Sequence, residues 1–302
     1  MDTKSMQFTA YDVLGYLVPG LAFFALIDCS FAFHTHHMAL SYEAITNRYQ
    51  TVSWKAAIPL ALVSYFVGHL ISFVSSMTIE RYARWRYGHP MKFLLDDSAE
   101  YPSFFKAGGK SIGWSKALRF VTAFALAPIF IFESVLLVTG ILRNYIRSMG
   151  PDLASVVKEA LAWLRSKAGM VSDPSKDYPS EFESLAINYT LESAPSHIFT
   201  LRNYVVLYGF LRSMTLVLVL ATWGISLHVA GSVWVKEKCI VTAAPYLLAG
   251  ILGGGFICTI SYGAYLKFWT RYNKEALMGL TAVYLKEQTS STTDLVNSRN
   301  KS

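Results

Sequence analysis

The chain has 302 residues, 53% of them hydrophobic and 16% charged, with a formal net charge of +7. Soluble domains carry about a quarter charged residues. Here charges crowd into some windows and vanish from others, which argues against a single water-soluble domain and predicts an all-α multipass membrane protein. Basic excess in such a chain reflects loops held beside anionic lipid before it reflects nucleic acid.

The first apolar window covers residues 11–33, where Gly15, Pro19 and Gly20 predict a kink and Asp28 lies near the far end. Asp2 and Lys4 ahead of so long a run do not make a cleavable signal peptide. His34, His36 and His37 follow; imidazoles without a partnering thiol or carboxylate read as a surface loop before they read as a metal site. The second window, 56–79, contains His69 and a four-residue periodicity of Ser64, Gly68, Ser72 and Ser76. Small residues so spaced form a groove for another helix, which is the leading reading for Ser64 and Gly68. Ser72, Ser76 and His69 are candidate pore-lining groups.

Arg81 to Pro90, R-Y-A-R-W-R-Y-G-H-P, reads as a basic aromatic helix leaving the membrane and stopping at Gly88–Pro90. Arg81, Arg84 and Arg86, with Lys110 further on, are candidate contacts for an anionic ligand or lipid phosphate. A-G-G-K-S at 107–111 matches only the end of a phosphate-binding loop, because position 104 is phenylalanine where a glycine is needed. An NTPase is therefore rejected.

The stretch 118–142 is apolar enough to cross a bilayer, yet carries Pro128 and Glu133. Topology decides its placement. With four crossings and a cytoplasmic N-terminus, only Arg48, Lys55, Lys236 and Lys238 of the 27 basic residues fall outside. A fifth crossing here would put most of them outside, against the positive-inside rule. The favoured reading keeps 118–142 on the cytoplasmic side, as a re-entrant hairpin or interface-buried pair bent at Pro128; burial in a cytosolic bundle and a true fifth span stay open. Glu133 among Ile131, Phe132, Val135 and Leu136 has two readings of equal weight. One is a proton- or ion-responsive gating carboxyl, since burial favours its neutral form; the other is a structural pair with Arg119 or Arg143.

Pro151 to Gly169 places apolar residues at 153, 156, 157, 160, 161 and 164, one face of a helix, with Asp152 to cap its start and Gly169 its end. A second helix is predicted over 179–193, and a third from about Ile198 into the window 213–230. Asn188 heads an N-Y-T glycosylation pattern that a cytoplasmic location makes irrelevant. The last window, 240–268, holds Gly250 and Gly254 as a second packing groove. An amphipathic helix and a disordered tail from about Gln288 are expected after it. Cys29, Cys239 and Cys258 show no paired spacing, so neither a disulfide framework nor a zinc site is supported.

Two stretches carry a resemblance: Y-D-V-L-G-Y-L-V-P-G at the first window, and G-H-L-I-S-F-V-S-S-M-T-I-E-R-Y-A-R-W-R-Y-G-H-P from the second into the basic segment. Over about the first third of the chain this looks like a loose group of bacterial multipass membrane proteins. Some of that kind resemble membrane effectors of phage-defence operons, in which a cytosolic sensor or nucleotide signal triggers permeabilisation. The resemblance implies a bacterial inner membrane and a non-enzymatic effector role, and transfers no site residues.

The expected organisation is a transmembrane hairpin over 1–79, a cytoplasmic helical region over 80–212, a second hairpin over 213–268 and a cytoplasmic end over 269–302. No nucleophile–base pair, metal-ligand set or cofactor motif stands out, so neither an enzyme nor a cofactor is expected. The leading function is a homo-oligomeric, gated, ion-permeable pathway controlled from the cytoplasm by a nucleotide signal or protein partner. The alternative is a non-conducting anchor that recruits a cytosolic partner.

Overall fold

The computed structural model describes residues 12–35, 54–95, 113–139, 148–170, 180–235 and 240–299. Every element among them is helical, and no strand occurs there. In chain order the helices are α1 (Val18–Thr35), α2 (Trp54–Ser75), α3 (Arg81–Tyr87), α4 (Pro90–Leu95), α5 (Gly113–Ala125), α6 (Ala127–Val138), α7 (Pro151–Lys167), α8 (Ser180–Ser193), α9 (Pro195–Val235) and α10 (Ile240–Arg299). A π-turn over Val13–Leu17 leads into α1, and another over Ser76–Glu80 joins α2 to α3. The first lies where a kink is predicted: Pro19 has no N–H to return to the preceding turn, and a π-turn absorbs such a mismatch without ending the helix.

Among the described residues, three helices are long and apolar enough to cross a bilayer: Lys55–Leu95, Pro195–Gly231 and Leu248–Ser290. Lys116–Ala125 and Ala127–Leu137 would together make a fourth. These helices agree with an all-α membrane protein. The expected first span is helical from Val13 to Thr35, and its stretch Val13–Asp28 is apolar.

The chain divides into two compact units. Unit 1 comprises Met1–Ala83, Phe104–Leu142 and Val206–Tyr265; unit 2 comprises Arg84–Ser103, Arg143–Val205 and Leu266–Ser302. Unit 1 gathers the apolar windows, and α2 shows how. Its buried face runs through Ile71, Ser75 and Ile79 to Tyr82, while Leu62 (66% exposed), Phe66 (64%) and Phe73 (63%) form an uncovered stripe. A helix of a soluble bundle would turn such a stripe inward. Lipid or another protein surface is the solvent it suits.

In unit 2, α3 ends where punctuation predicts, with Gly88 in the left-handed region at φ +83°. Helix α7 starts after Gly150, and Asp152 lies in its first turn rather than capping it. It ends at Gly169 (φ +67°), whose neighbour Met170 donates its N–H to the Arg165 carbonyl at 3.1 Å, closing the helix end. Helix α9 runs unbroken from Pro195 through the expected 198–213 junction. The tail expected to be disordered is helical as far as Arg299, because α10 continues without a break from Ile240.

Candidate functional site

The site is built around the bend between α5 and α6. The two axes meet at 89°, and the break is Leu126 (φ −97°, ψ 19°), two residues before the expected Pro128. The proline ring clashes with the carbonyl four residues back, so continuity must fail between Phe124 and Pro128. Inside the first turn of α6 the missing proline N–H costs nothing. The bend leaves backbone groups to satisfy in an apolar setting. Trp223 of α9 meets one of them, donating its indole N–H to the Ala125 carbonyl at 2.8 Å, and its ring lies 5.5 Å from that of Phe124.

Beyond the bend, α6 seats against α10 at Gly255. A Cβ there would lie 2.6 Å from Phe132 Cε2 and 3.1 Å from the Pro128 carbonyl, so only a glycine allows this approach. One turn further along α6, Glu133 is fully buried, and the phenol of Tyr82, also fully buried, donates to its Oε2. The Tyr262 ring of α10 lies tilted at 58° to that of Tyr82, 5.8 Å between centres, and Tyr265 lies 6.0 Å from Tyr262. A carboxyl taken out of water is tolerated only where hydrogen bonds replace its hydration, and this phenol supplies one. Of the arginines considered as partners, Arg119 sits on α5 and Arg143 lies outside the described residues.

The remaining sequence candidates fall in different places. His69 is exposed on α2, its ring stacked on Tyr16 at 3.7 Å and edge-on to Tyr65 at 4.6 Å. Ser72 and Ser76 are half-buried, and Ser76 Oγ donates to the Phe73 carbonyl at 2.7 Å. Ser64 and Gly68 face the segment entering α1: a Cβ on Gly68 would overlap the Tyr16 carbonyl oxygen, and one on Gly20 would overlap that of Ser64. The Ser64 hydroxyl is fully buried and has no hydrogen-bond partner. On α10 a Cβ at Gly254 would come within 2.5 Å of Thr222 Oγ1, whereas one at Gly250 would meet Ile225 Cγ2 at an ordinary 3.5 Å. Arg81 and Arg84 are exposed and Arg86 is half-buried. Lys110, His36, His37 and the 107–111 loop lie outside the described residues.

Sequence reasoning missed what four residues of the site and its surroundings do. Tyr82, Trp223 and Gly255 hold the bent pair, and Gly20 is the reciprocal of Gly68. For Tyr82 a signal exists, since it continues the buried face of α2 by helical spacing. Arg212 of α9 makes a further polar tie. Its guanidinium donates to Glu80 Oε2 and, at 3.2 Å, to Ser75 Oγ, tying α9 to the end of α2.

No family model, curated protein or solved structure matches the chain. Function must therefore be argued from the geometry. Among the described residues no group of three or more His, Cys, Asp or Glu side chains could hold a metal ion.

Proposed function

We propose that the protein is an oligomeric effector of a bacterial inner membrane whose assembled helices form a gated, ion-permeable pathway, controlled from the cytoplasm. In this reading four crossings leave both termini inside, and the bent pair is a re-entrant gate. The observation that carries it is the hydrogen bond between Glu133 and Tyr82, which ties a helix pair bent by 89° to the segment that continues α2. Ionisable groups within membrane segments are costly and mark functional sites. The carboxyl–phenol contact is one tie on this half-span, beside the Trp223–Ala125 hydrogen bond and the close approach at Gly255, and its release would loosen the pair without unfolding the rest.

The exposure of His69 beside bare Phe66, Leu70 and Phe73 supports assembly, because a second chain covers an imidazole better than lipid does. Four helices of one chain enclose no sizeable channel, which again requires copies. The phage-defence setting rests on the resemblance of the first third of the chain.

The test is ion flux from liposomes loaded with purified protein. Glu133→Gln and Tyr82→Phe are expected to leak more than the wild type, and the wild type to conduct when its cytoplasmic signal is supplied. Vesicles that stay ion-tight with both variants and every candidate signal would end the pore reading. The exposed Phe199 (62%) and Met170 (43%) of unit 2 favour the non-conducting anchor as second reading. Monomeric behaviour in detergent together with a stoichiometric soluble partner would put it first.

A further inference from the structure

Unit 2 contains a cluster that neither functional reading uses. Trp163 and Lys167 stand one turn apart on α7, Tyr189 comes from α8, and Tyr284 and Glu287 come from α10. Lys167 Nζ lies 4.8 Å from the centre of the Trp163 ring and 5.5 Å from that of Tyr189. It donates to Glu287 Oε1 at 2.7 Å and to the Tyr189 hydroxyl at 3.1 Å. Trp163 meets Tyr189 nearly edge-on, with ring centres 5.8 Å apart at 73°, and Tyr284 closes the group 5.7 Å from Trp163.

Each part of this arrangement attracts positive charge by a different route. Indole and phenol rings present negative faces to a cation within about 6 Å. Glu287 adds a full negative charge. The last turn of α7, where Lys167 sits, carries the negative end of the helix dipole.

We propose that this cluster is a binding site for a small organic ammonium ion, and that the Lys167 side chain is its built-in occupant. The walls and the occupant differ in how firmly they are held. Tyr284 is 8% exposed and Trp163 is half-buried, so packing fixes the rings. Lys167 and Glu287 are 45% and 46% exposed, so the lysine can swing into water on its flexible stem without disturbing the bundle. Exposed ion pairs are weak because water screens them, and a cation over a ring at an exposed site is held little better. An occupant held that weakly is exchangeable. The chemistry selects ammonium over a hard divalent metal, because one carboxylate and one phenol fall short of the six or more oxygens that calcium takes. The Glu287 carboxylate, and after it the Tyr189 hydroxyl, keep the Lys167 ammonium protonated above the ordinary lysine range, consistent with a site that favours the charged form. The inference is independent of the gated-pathway reading.

The test uses full-length protein in detergent, titrated calorimetrically with butylammonium at constant ionic strength. Lys167→Ala vacates the site and is expected to bind butylammonium at least tenfold more tightly than the wild type. Adding Trp163→Ala should abolish that gain. A milder second variant, Lys167→Ala with Trp163→Phe, keeps an aromatic wall of weaker quadrupole and should bind severalfold more weakly than Lys167→Ala alone. Equal binding by Lys167→Ala and wild type would overturn the proposal. So would a gain indifferent to the Trp163→Phe change, since Lys167 would then be only a surface contact.

Discussion

Units 1 and 2 are both helical, yet they distribute polarity in opposite ways. In unit 1 the outward groups include Leu62, Phe66, Phe73, Phe120 and Phe124, while Glu133, Ser64 and Ser213 are fully buried. In unit 2 polar side chains meet nearer the surface: His197 Nδ1 with Glu275 Oε1 at 2.7 Å, His89 Nδ1 with Glu183 Oε2 at 3.0 Å, and Lys167 with Glu287. Unit 2 also has an apolar interior, with Val157, Ala160 and Leu161 of α7 and Leu277 and Leu280 of α10 buried. One unit is built for an apolar solvent, where close backbone approach and internal hydrogen bonds hold helices together. In the other, apolar burial does that work and pairs near the surface add little. Substitutions of equal size should therefore have unequal consequences in the two units.

The largest effect is expected where unit 1 has no room at all. Gly68→Leu drives a side chain into the Tyr16 backbone, which cannot give way as a side chain would. Overpacking of this kind costs about 3 kcal/mol or more when backbone must move. The thermal midpoint of the purified protein in detergent should fall sharply or the fold be lost. Gly209→Ala is the matched control, because nothing lies within 4 Å of a Cβ there. Alanine in a helix interior is favoured over glycine by about 0.5–1 kcal/mol. A Gly68→Leu protein as stable as Gly209→Ala would contradict the close approach.

Next comes the buried carboxyl. Tyr82→Phe removes the phenol that hydrogen-bonds Glu133, and taking one hydrogen bond from a buried carboxyl costs about 1–3 kcal/mol. Converting both partners, Tyr82→Phe with Glu133→Leu, should recover most of that loss, since a matched apolar pair strands nothing. The double-mutant cycle checks this. Additive losses would show that the two side chains do not act as a pair.

How far these features could be read in advance follows from how local their causes are. The apolar window 56–79 and the continuous run from 198 through 213 are set by neighbours in sequence, and α2 and α9 follow them. The stop at Gly88 is equally local, because one residue accepts a positive φ. The contact between Glu133 and Tyr82 was not legible: the two lie 51 positions apart, and packing of α6 against the end of α2 brings them together. Gly255 and Trp223 share that character, as nothing nearby in sequence says that a bent pair needs a gap and a donor. The break at Leu126 is intermediate, because Pro128 predicts disruption but the clash it causes lies upstream. The helical tail shows composition misleading in the other direction. Polar residues after Gln288 cannot build a core, yet they can extend a helix already nucleated.

Smaller effects belong to the surface of unit 2. His197→Ala or Glu275→Ala should lower stability by less than about 1 kcal/mol, because the pair is 26% and 29% exposed and loses side-chain entropy to form. A loss as large as that of Tyr82→Phe would mean that the two units are not built on different principles after all.

The smallest expected effect is also the most specific in its pH dependence. Because Glu287 holds the Lys167 ammonium protonated above its ordinary value of 10.5, the folded state binds that proton more tightly than the unfolded chain. The stabilisation is therefore fully present below 10.5 and fades as pH rises through the higher folded value. Glu287→Gln should lower the thermal midpoint slightly at pH 7, and by the same small amount at pH 6 and 8, where the lysine is charged in both states. Above the ordinary lysine range the two proteins should converge. A gap that opened or closed between pH 6 and 8 would have to come from another group, and the Lys167–Glu287 contact would then not be its source.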